Sequence, residues 1–323
     1  GYDDLAASMP WEDYYIPTGI PPSKVDTGAM GVFYGSGGGL GWAASPPPTV
    51  HREFAAAPGY RFGYSLAAGN FNGDGYDDIA IGGPYRDIGA FGSSPGVANV
   101  GSVRFAFGSP GGVSGVELTY FLTQLRAGES DEAWDLFGWS LASGDFNGDG
   151  YDDLAVGTPW EDVGSALNAG IVIAFYGSTY GLLLPGFPGA VTETLTQEDA
   201  GENSEPGDLF GYALASGKFR STFDDLAVGA PWENFGGKTD NGVAVVFSGS
   251  SAGLLPAVAE VIGQSGIGGE EETGDHLGWA LAAGDFDNNG IDDLAVSAPD
   301  EDFPGGVVDA GAVYVREYWY IVP

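Results

Sequence analysis

The chain contains no cysteine, which excludes disulfides, zinc–thiolate sites and a cysteine nucleophile and leaves the redox compartment open. Its two histidines, His51 and His276, leave little for imidazole catalysis and read as structural. Basic residues are also scarce: 10 Lys plus Arg stand against 45 Asp plus Glu, for a net charge of −35 at pH 7. A field of that sign argues against nucleic acid or an anionic lipid surface as partner and favours a neutral or cationic ligand. No apolar run approaches the roughly 18 residues of a membrane-spanning helix, and no signal peptide opens the sequence.

What is abundant is punctuation. Among 323 residues there are 57 Gly and 20 Pro, and they separate short apolar runs, so the pattern reads as many turns and many short strands with almost no stretch long enough for an amphipathic helix. An apolar fraction of 43% with 13% aromatics is enough to bury a core in spite of the charge.

One phrase occurs five times: Gly1-Tyr-Asp-Asp-Leu-Ala, Gly75-Tyr-Asp-Asp-Ile-Ala, Gly150-Tyr-Asp-Asp-Leu-Ala, Thr222-Phe-Asp-Asp-Leu-Ala and Gly290-Ile-Asp-Asp-Leu-Ala. The copies lie roughly 70 residues apart, too long for a solenoid rung and suited to a multi-stranded blade. Each unit reads as four strands. Strand A starts at Phe62, Phe137, Phe210 and Leu277; strand B is the Asp-Asp-Leu-Ala-Val-Gly segment, ending at Pro10, Pro84, Pro159, Pro231 and Pro299. Strand C lies around Val32, Val103, Ile171, Val243 and Val313; strand D covers Val116 to Leu125, Ala190 to Gln197, Ala257 to Gln264 and Thr49 to Ala56.

Four short antiparallel strands in a repeat too small to bury both its faces alone predict an all-β protein, a β-propeller of about five repeats; a sandwich or β-solenoid is the alternative. The repeats span approximately 1–57, 58–127, 128–200, 201–270 and 271–323, all in one domain. The first lacks strand A and the last has no separate strand D, because Tyr314 to Pro323 runs straight on from C. Both ends of the chain therefore fall inside a blade. Either the propeller continues beyond this chain, or the ends pair across a ring or between molecules.

Between strands A and B lies Asn70-Phe-Asn72-Gly-Asp74-Gly-Tyr76-Asp-Asp78. Side-chain oxygens fall at positions 1, 3, 5 and 9 of this loop, a backbone carbonyl is available at Tyr76, and glycine at position 6 permits a sharp turn. A hard cation that wants six to eight oxygens is wrapped in this way. The arrangement recurs as Asp145, Asn147, Asp149, the Tyr151 carbonyl and Asp153, and again as Asp285, Asp287, Asn289, the Ile291 carbonyl and Asp293. A helix-loop-helix calcium hand needs Glu at position 12, where Ile81, Val156 and Val296 stand, so that motif is rejected. About three Ca²⁺ ions are expected; the alternative is acidic Asx turns without metal. The fourth copy, Gly217-Lys218-Phe-Arg220-Ser-Thr-Phe-Asp224-Asp225, is a residue shorter and carries cations where ligands should be. No ion is expected there, and Lys218 and Arg220 are expected to hold Asp225 by an ion pair.

Phe-Gly in strand A, the Asp-rich loop, and ends such as Gly229-Ala230-Pro231 resemble the FG-GAP repeat of integrin α-subunit propellers and of many bacterial secreted proteins, over essentially the whole chain. The resemblance implies a calcium-stabilised propeller, an extracellular or cell-surface location and an adhesive or ligand-binding role. Two departures accompany it: integrin-type propellers have seven blades, and the fourth loop here has lost its ligands.

A cluster comes after strand B: Pro10-Trp-Glu-Asp, Pro159-Trp-Glu-Asp and Pro231-Trp-Glu-Asn, with variants Pro84-Tyr-Arg-Asp and Pro299-Asp-Glu-Asp. Trp11, Trp160 and Trp232 are candidates for sugar stacking or for packing between blades; Trp139 and Trp279, matched by Tyr64 and Tyr212, read as core. Paired carboxylates raise the possibility of a glycosidase, but every prominent acid belongs to the repeat, whereas an active site breaks it. The expectation is a non-enzymatic adhesion or surface module that binds a protein or glycan. A lectin, a subunit that self-assembles through its terminal strands and a propeller-based polysaccharide-cleaving enzyme are its rivals.

Overall fold

Every repeat folds as an antiparallel meander, because each apolar run is a strand's length and is closed by a Gly- or Pro-bearing turn. The computed structural model describes residues 4–11, 26–34, 49–52, 59–89, 96–113, 116–182, 192–303 and 305–319. Among these there is no α-helix, and five sheets form in chain order. The first comprises β1 (Leu5–Met9), β2 (Ala29–Phe33) and β3 (Thr49–Arg52). The second comprises β4 (Leu66–Gly69), β5 (Asp78–Gly82), β6 (Val103–Ala106) and β7 (Val116–Leu122). The third comprises β8 (Ser140–Gly144), β9 (Asp153–Thr158), β10 (Ile171–Phe175) and β11 (Thr192–Leu195), and the fourth β12 (Ala213–Gly217), β13 (Asp225–Ala230), β14 (Val243–Ser248) and β15 (Leu255–Ile262). The fifth has β16 (Leu281–Gly284), β17 (Asp293–Ala298) and β18 (Ala312–Arg316). The first sheet thus has B, C and D strands and the last has A, B and C, as the repeat count predicts.

The fourth strands end earlier than their sequence pattern. Gln124–Ala127, Gln197–Ala200 and Gln264–Ile267 form short 3₁₀ turns, each closed by a left-handed glycine, Gly128, Gly201 or Gly268. The expected span to Ala56 extends past Arg52 into residues outside those described, as does the start at Ala190.

By its packing the chain divides into two units, Gly1–Asn70 with Asp74–Trp139, and Phe71–Gly73 with Ser140–Pro323. The first holds sheets one and two around Met30, Val32, Phe62, Ile79 and Ile81. In the second unit, alternation along the strands sends successive residues to opposite faces. Leu226 and Val228 of β13 pack with Phe146, Val172 and Phe210, whereas Ala227 packs with Leu277, Leu294 and Val296. With both faces covered, β13 is buried throughout, which is why its sequence reads as a continuous apolar run and not an alternating one.

Neighbouring blades meet at glycine. Gly138, Gly211 and Gly278, each directly after the aromatic or Leu that opens strand A, have φ of +87°, +88° and +91°. Within the first unit, a Cβ on Gly82 would lie 2.3 Å from the Gly138 carbonyl oxygen; in the second, one on Gly157 or Gly229 would lie 2.2 or 2.0 Å from that of Gly211 or Gly278. Ser65 and Ser140 donate their hydroxyls to the same Gly138 and Gly211 oxygens at 2.7 and 2.6 Å. The two glycine positions of the repeat are therefore the two sides of one backbone joint.

Candidate metal centres

Each acidic loop starts where strand A ends and finishes on the first residue of strand B. Asp78, Asp153, Asp225 and Asp293 occupy that last position and are all fully buried. Burying a carboxylate requires that its oxygens be satisfied. Asp153 accepts N–H bonds from Phe146 at 2.9 Å and Gly177 at 2.7 Å, and Asp293 from Phe286 at 3.0 Å and Tyr318 at 2.9 Å. Asp78 accepts from Gly108 at 2.9 Å. The ninth ligand position is thus a strut tying the loop to the end of strand C. Burial drives the Asp153 carboxyl up to about 8, and Asp149 and Asp145 push the same way by like-charge repulsion.

The exposed acids shape the turn. Asp145 takes the N–H groups of Asp149 and Gly150, both at 3.0 Å, Asn147 that of Asp149 at 2.9 Å, and Asp149 that of Tyr151 at 3.0 Å. The last loop repeats this: Asp285 accepts from Asn289 and Gly290, Asp287 from Asn289, and Asn289 from Ile291. In the first loop Asp74 accepts from Tyr76 at 2.9 Å; Asn70 and Asn72 are half-buried and Asp74 and Tyr76 exposed. Gly75, Gly150 and Gly290 lie at φ between +87° and +90°, the left-handed turn that position 6 demands.

The last loop gathers its acids most tightly. Oxygens of Asp285, Asp287 and Asp293 lie within 4.8 Å of one another, the one such trio among the described residues. An ion bound at about 2.4 Å spans ligand oxygens up to about 4.8 Å apart, so this set of hard oxygen donors fits a calcium-sized cation, which would offset the repulsion between them.

The degenerate loop differs from expectation. Asp225 is held by the N–H groups of Arg220 at 2.7 Å and Gly249 at 2.8 Å and by the Ser221 hydroxyl at 2.9 Å. The Arg220 guanidinium turns away to Glu260 at 3.7 Å and the Val258 carbonyl at 3.0 Å. The backbone already satisfies the buried carboxylate, so the arginine's side-chain cation pairs elsewhere. Lys218 acts instead on Asp224, opposing the upward shift that burial imposes there.

The candidate tryptophans pack on the strand-A aromatic of the following repeat: Trp11 on Tyr64 at 6.4 Å, Trp160 on Tyr212 at 6.3 Å and Trp232 on Trp279 at 5.1 Å between ring centroids. Trp11 is also capped by the Arg61 guanidinium at 4.0 Å, which lies equally close to Tyr85. Trp139 is half-buried against Tyr64 at 4.6 Å. Trp279, expected in the core, is exposed: Tyr212 is covered by Trp279, but among the described residues no later repeat supplies an aromatic to cover Trp279. His276 packs on Trp232 and holds Asp300 at 2.8 Å.

Two features escaped the sequence reading. Trp134 is 58% exposed and sits at φ +77°, where the other repeats place Gly59, Gly207 and Gly274 at φ +84° to +93°; the substitution of Trp for glycine three residues before the residue that opens strand A was its signal. Buried acids also gather where strand B ends. Burial raises Asp135 to about 6 and Asp208 to about 8, with Glu233 adding repulsion at Asp208.

Comparison with known proteins agrees with this construction. The FG-GAP repeat model matches residues 62–104, 137–175 and 277–315, in three of the five repeats; the incomplete first repeat and the repeat whose loop is degenerate lie outside those ranges. The chain is 36% identical over 179 residues to phosphatidylinositol-glycan-specific phospholipase D of Rattus norvegicus, covering 54% of this chain and 20% of that protein. It is 35% identical to integrin alpha-PS2 of Drosophila melanogaster, covering 53% of this chain and 12% of that one. Against integrin alpha-IIb of Mus musculus identity is 31%, over 74% of this chain and 20% of the relative. The chain spans about a fifth or less of each of these relatives.

Proposed function

We propose that this FG-GAP repeat chain, an all-β assembly of propeller blades, is a calcium-stabilised, non-enzymatic binding module of an extracellular or surface protein. The observation that carries the calcium reading is the convergence of Asp285, Asp287 and Asp293. The loops 145–153 and 70–78 share its residue pattern and its buried terminal aspartate. The ion would bind to Asp285, Asp287, Asn289, the Ile291 carbonyl and Asp293, and to the matching residues of the other two loops. Its work is mechanical: neutralising the loop acids, it fixes the A–B turn to the strut that reaches strand C, the role a disulfide plays in cysteine-bearing secreted domains.

A protein or glycan is the proposed partner. Trp134 supports this, since an exposed indole held in left-handed backbone costs about 1–2 kcal/mol that a ligand contact can explain. No helix among the described residues is long and apolar enough to cross a membrane. Two assays test the reading. Equilibrium dialysis should show bound calcium that falls by about one equivalent in Asp285→Asn/Asp287→Asn, and equal binding by that variant would reject the metal assignment. A glycan array and protein capture with the calcium-loaded chain should yield a partner whose binding is lost in Trp134→Gly, and undiminished binding would remove Trp134 from the site.

A further inference from the structure

The residue just before the opener of strand A is Arg61, Leu136, Leu209 or His276 in repeats two to five. All four lie in left-handed backbone, at φ between +52° and +58°, so their side chains leave the chain alike. The residues that follow the strand-B prolines are Trp11, Tyr85, Trp160, Trp232 and Asp300. Two of the four side chains carry or can take positive charge, and each meets the post-proline residue of its own repeat and of the repeat before. His276 packs on Trp232 at 5.3 Å between ring centroids and holds Asp300 at 2.8 Å. The Arg61 guanidinium carbon lies 4.0 Å from the ring centres of both Trp11 and Tyr85. Tyr64 meets both of those rings, at 6.4 and 6.2 Å, and fixes the width of the slot.

The fifth repeat therefore supplies a carboxylate to its ring-stacked cation, and the second repeat puts Tyr85 where that carboxylate would be. Arg220 and Arg316 pair with Glu260, and His276 with Asp300, whereas Arg61 makes no ion pair among the described residues. Its buried Nε has no hydrogen-bond acceptor. Aromatic stacking occupies the faces of a guanidinium and leaves the N–H groups along its edge unanswered. The charge around it is also exceptional. Residues 58–127 carry five acids and four arginines, a net of −1, whereas residues 128–200 carry thirteen acids and no Lys or Arg.

We infer that Arg61, framed by Trp11 and Tyr85, is the binding point for the carboxylate of an acidic sugar. A carboxylate meets the edge of a guanidinium with two parallel hydrogen bonds, and the stacked rings hold the Arg61 edge in place for it. Trp11 is 54% exposed, so indole surface lies open beside the cation, and the C–H face of a pyranose packs on such a surface. A sugar acid offers both groups on one ring. The net charge of −35 repels a polyanion, which selects a single carboxylate on an otherwise neutral body. This inference rests on the binding-module reading and names the chemistry of its partner.

Saturation-transfer NMR titrations of the whole chain in calcium test it, with glucuronic acid, glucose and N-acetylaspartate as probes, the last standing for a protein carboxylate. Glucuronic acid should bind, and glucose about tenfold more weakly or not at all. Arg61→Leu, which introduces the residue that repeats three and four carry there, should bind glucuronic acid about tenfold more weakly than the wild type. Equal affinity for glucuronic acid and glucose, no binding of glucuronic acid, or undiminished binding by folded Arg61→Leu overturns the site. Preference for N-acetylaspartate over glucuronic acid overturns the sugar assignment. Should Arg61→Leu not fold, the wild-type comparison of glucuronic acid with glucose decides. The binding-module reading is scored separately: a partner captured equally by wild type and Arg61→Leu upholds that reading and rejects this site, whereas glucuronic acid bound through Arg61 with no partner found by array or capture does the reverse.

Discussion

Gly157 and Gly211 face each other across the joint between two blades so closely that a Cβ on Gly157 would stand 2.2 Å from the Gly211 carbonyl oxygen. The obstacle is backbone, which cannot rotate away. Gly157→Ala should therefore destabilise the chain by about 3 kcal/mol or more, seen as a lowered midpoint in urea. Gly150→Ala is the contrast: nothing lies within 4 Å of its added methyl, but its φ is +88°, so only the left-handed strain applies, about 1 kcal/mol. Equal effects at the two sites would refute the joint.

Asp153→Ala removes the acceptor of both the Phe146 and Gly177 N–H groups. Two buried donors without partners cost about 2–5 kcal/mol together. The loss should persist in chelator, because the strut acts through the backbone as well as through any ion. A variant destabilised only in the presence of calcium would show that the hydrogen bonds contribute nothing.

Acidity should act through Asp135. Its carboxyl is raised by burial to about 6 in the fold from an ordinary 3.8, so between those values the folded state binds more protons than the unfolded one. Stability from this group is then highest at low pH and falls as pH rises from about 4 through about 6. Asp135→Asn should flatten that limb of the profile, measured as the difference in Tm between variant and wild type from about pH 4 to about pH 8 in chelator. A constant difference over that range would contradict the shift.

At the degenerate loop the Arg220–Glu260 pair is partly exposed, at 3.7 Å. Arg220→Ala should cost no more than about 1 kcal/mol, and by the same amount with calcium as with chelator, since this loop carries no ligand set. A calcium-dependent difference, read by paired thermal melts, would assign it a metal.

Much of this architecture is legible in the sequence because its determinants are local and repeated. The Asp-Asp-Leu-Ala phrase marks the B strands, and the loop oxygens fall within nine consecutive residues, where spacing alone fixes which side chains converge. What is assembled over distance is hidden. Gln197 and Glu233, bonded through the Gln197 amide, meet only once two separate segments are folded together. The same holds for Arg220, whose partner Glu260 lies on β15, and for Trp279, whose exposure depends on whether a later aromatic packs over it in space. Trp134 was readable in principle, as the one aromatic in a column of glycines.

If calcium holds the A–B turns of these blades, withdrawing it must cost the fold stability. Differential scanning calorimetry of the full chain, with free calcium about a hundredfold above the dissociation constant and then with excess EDTA, measures that cost directly: binding to the folded state alone at that ratio adds about 2.7 kcal/mol per site. A Tm that falls by several degrees or more in EDTA, with the fall reduced in Asp285→Asn/Asp287→Asn, is the predicted result. Superimposable melts with and without calcium would contradict it.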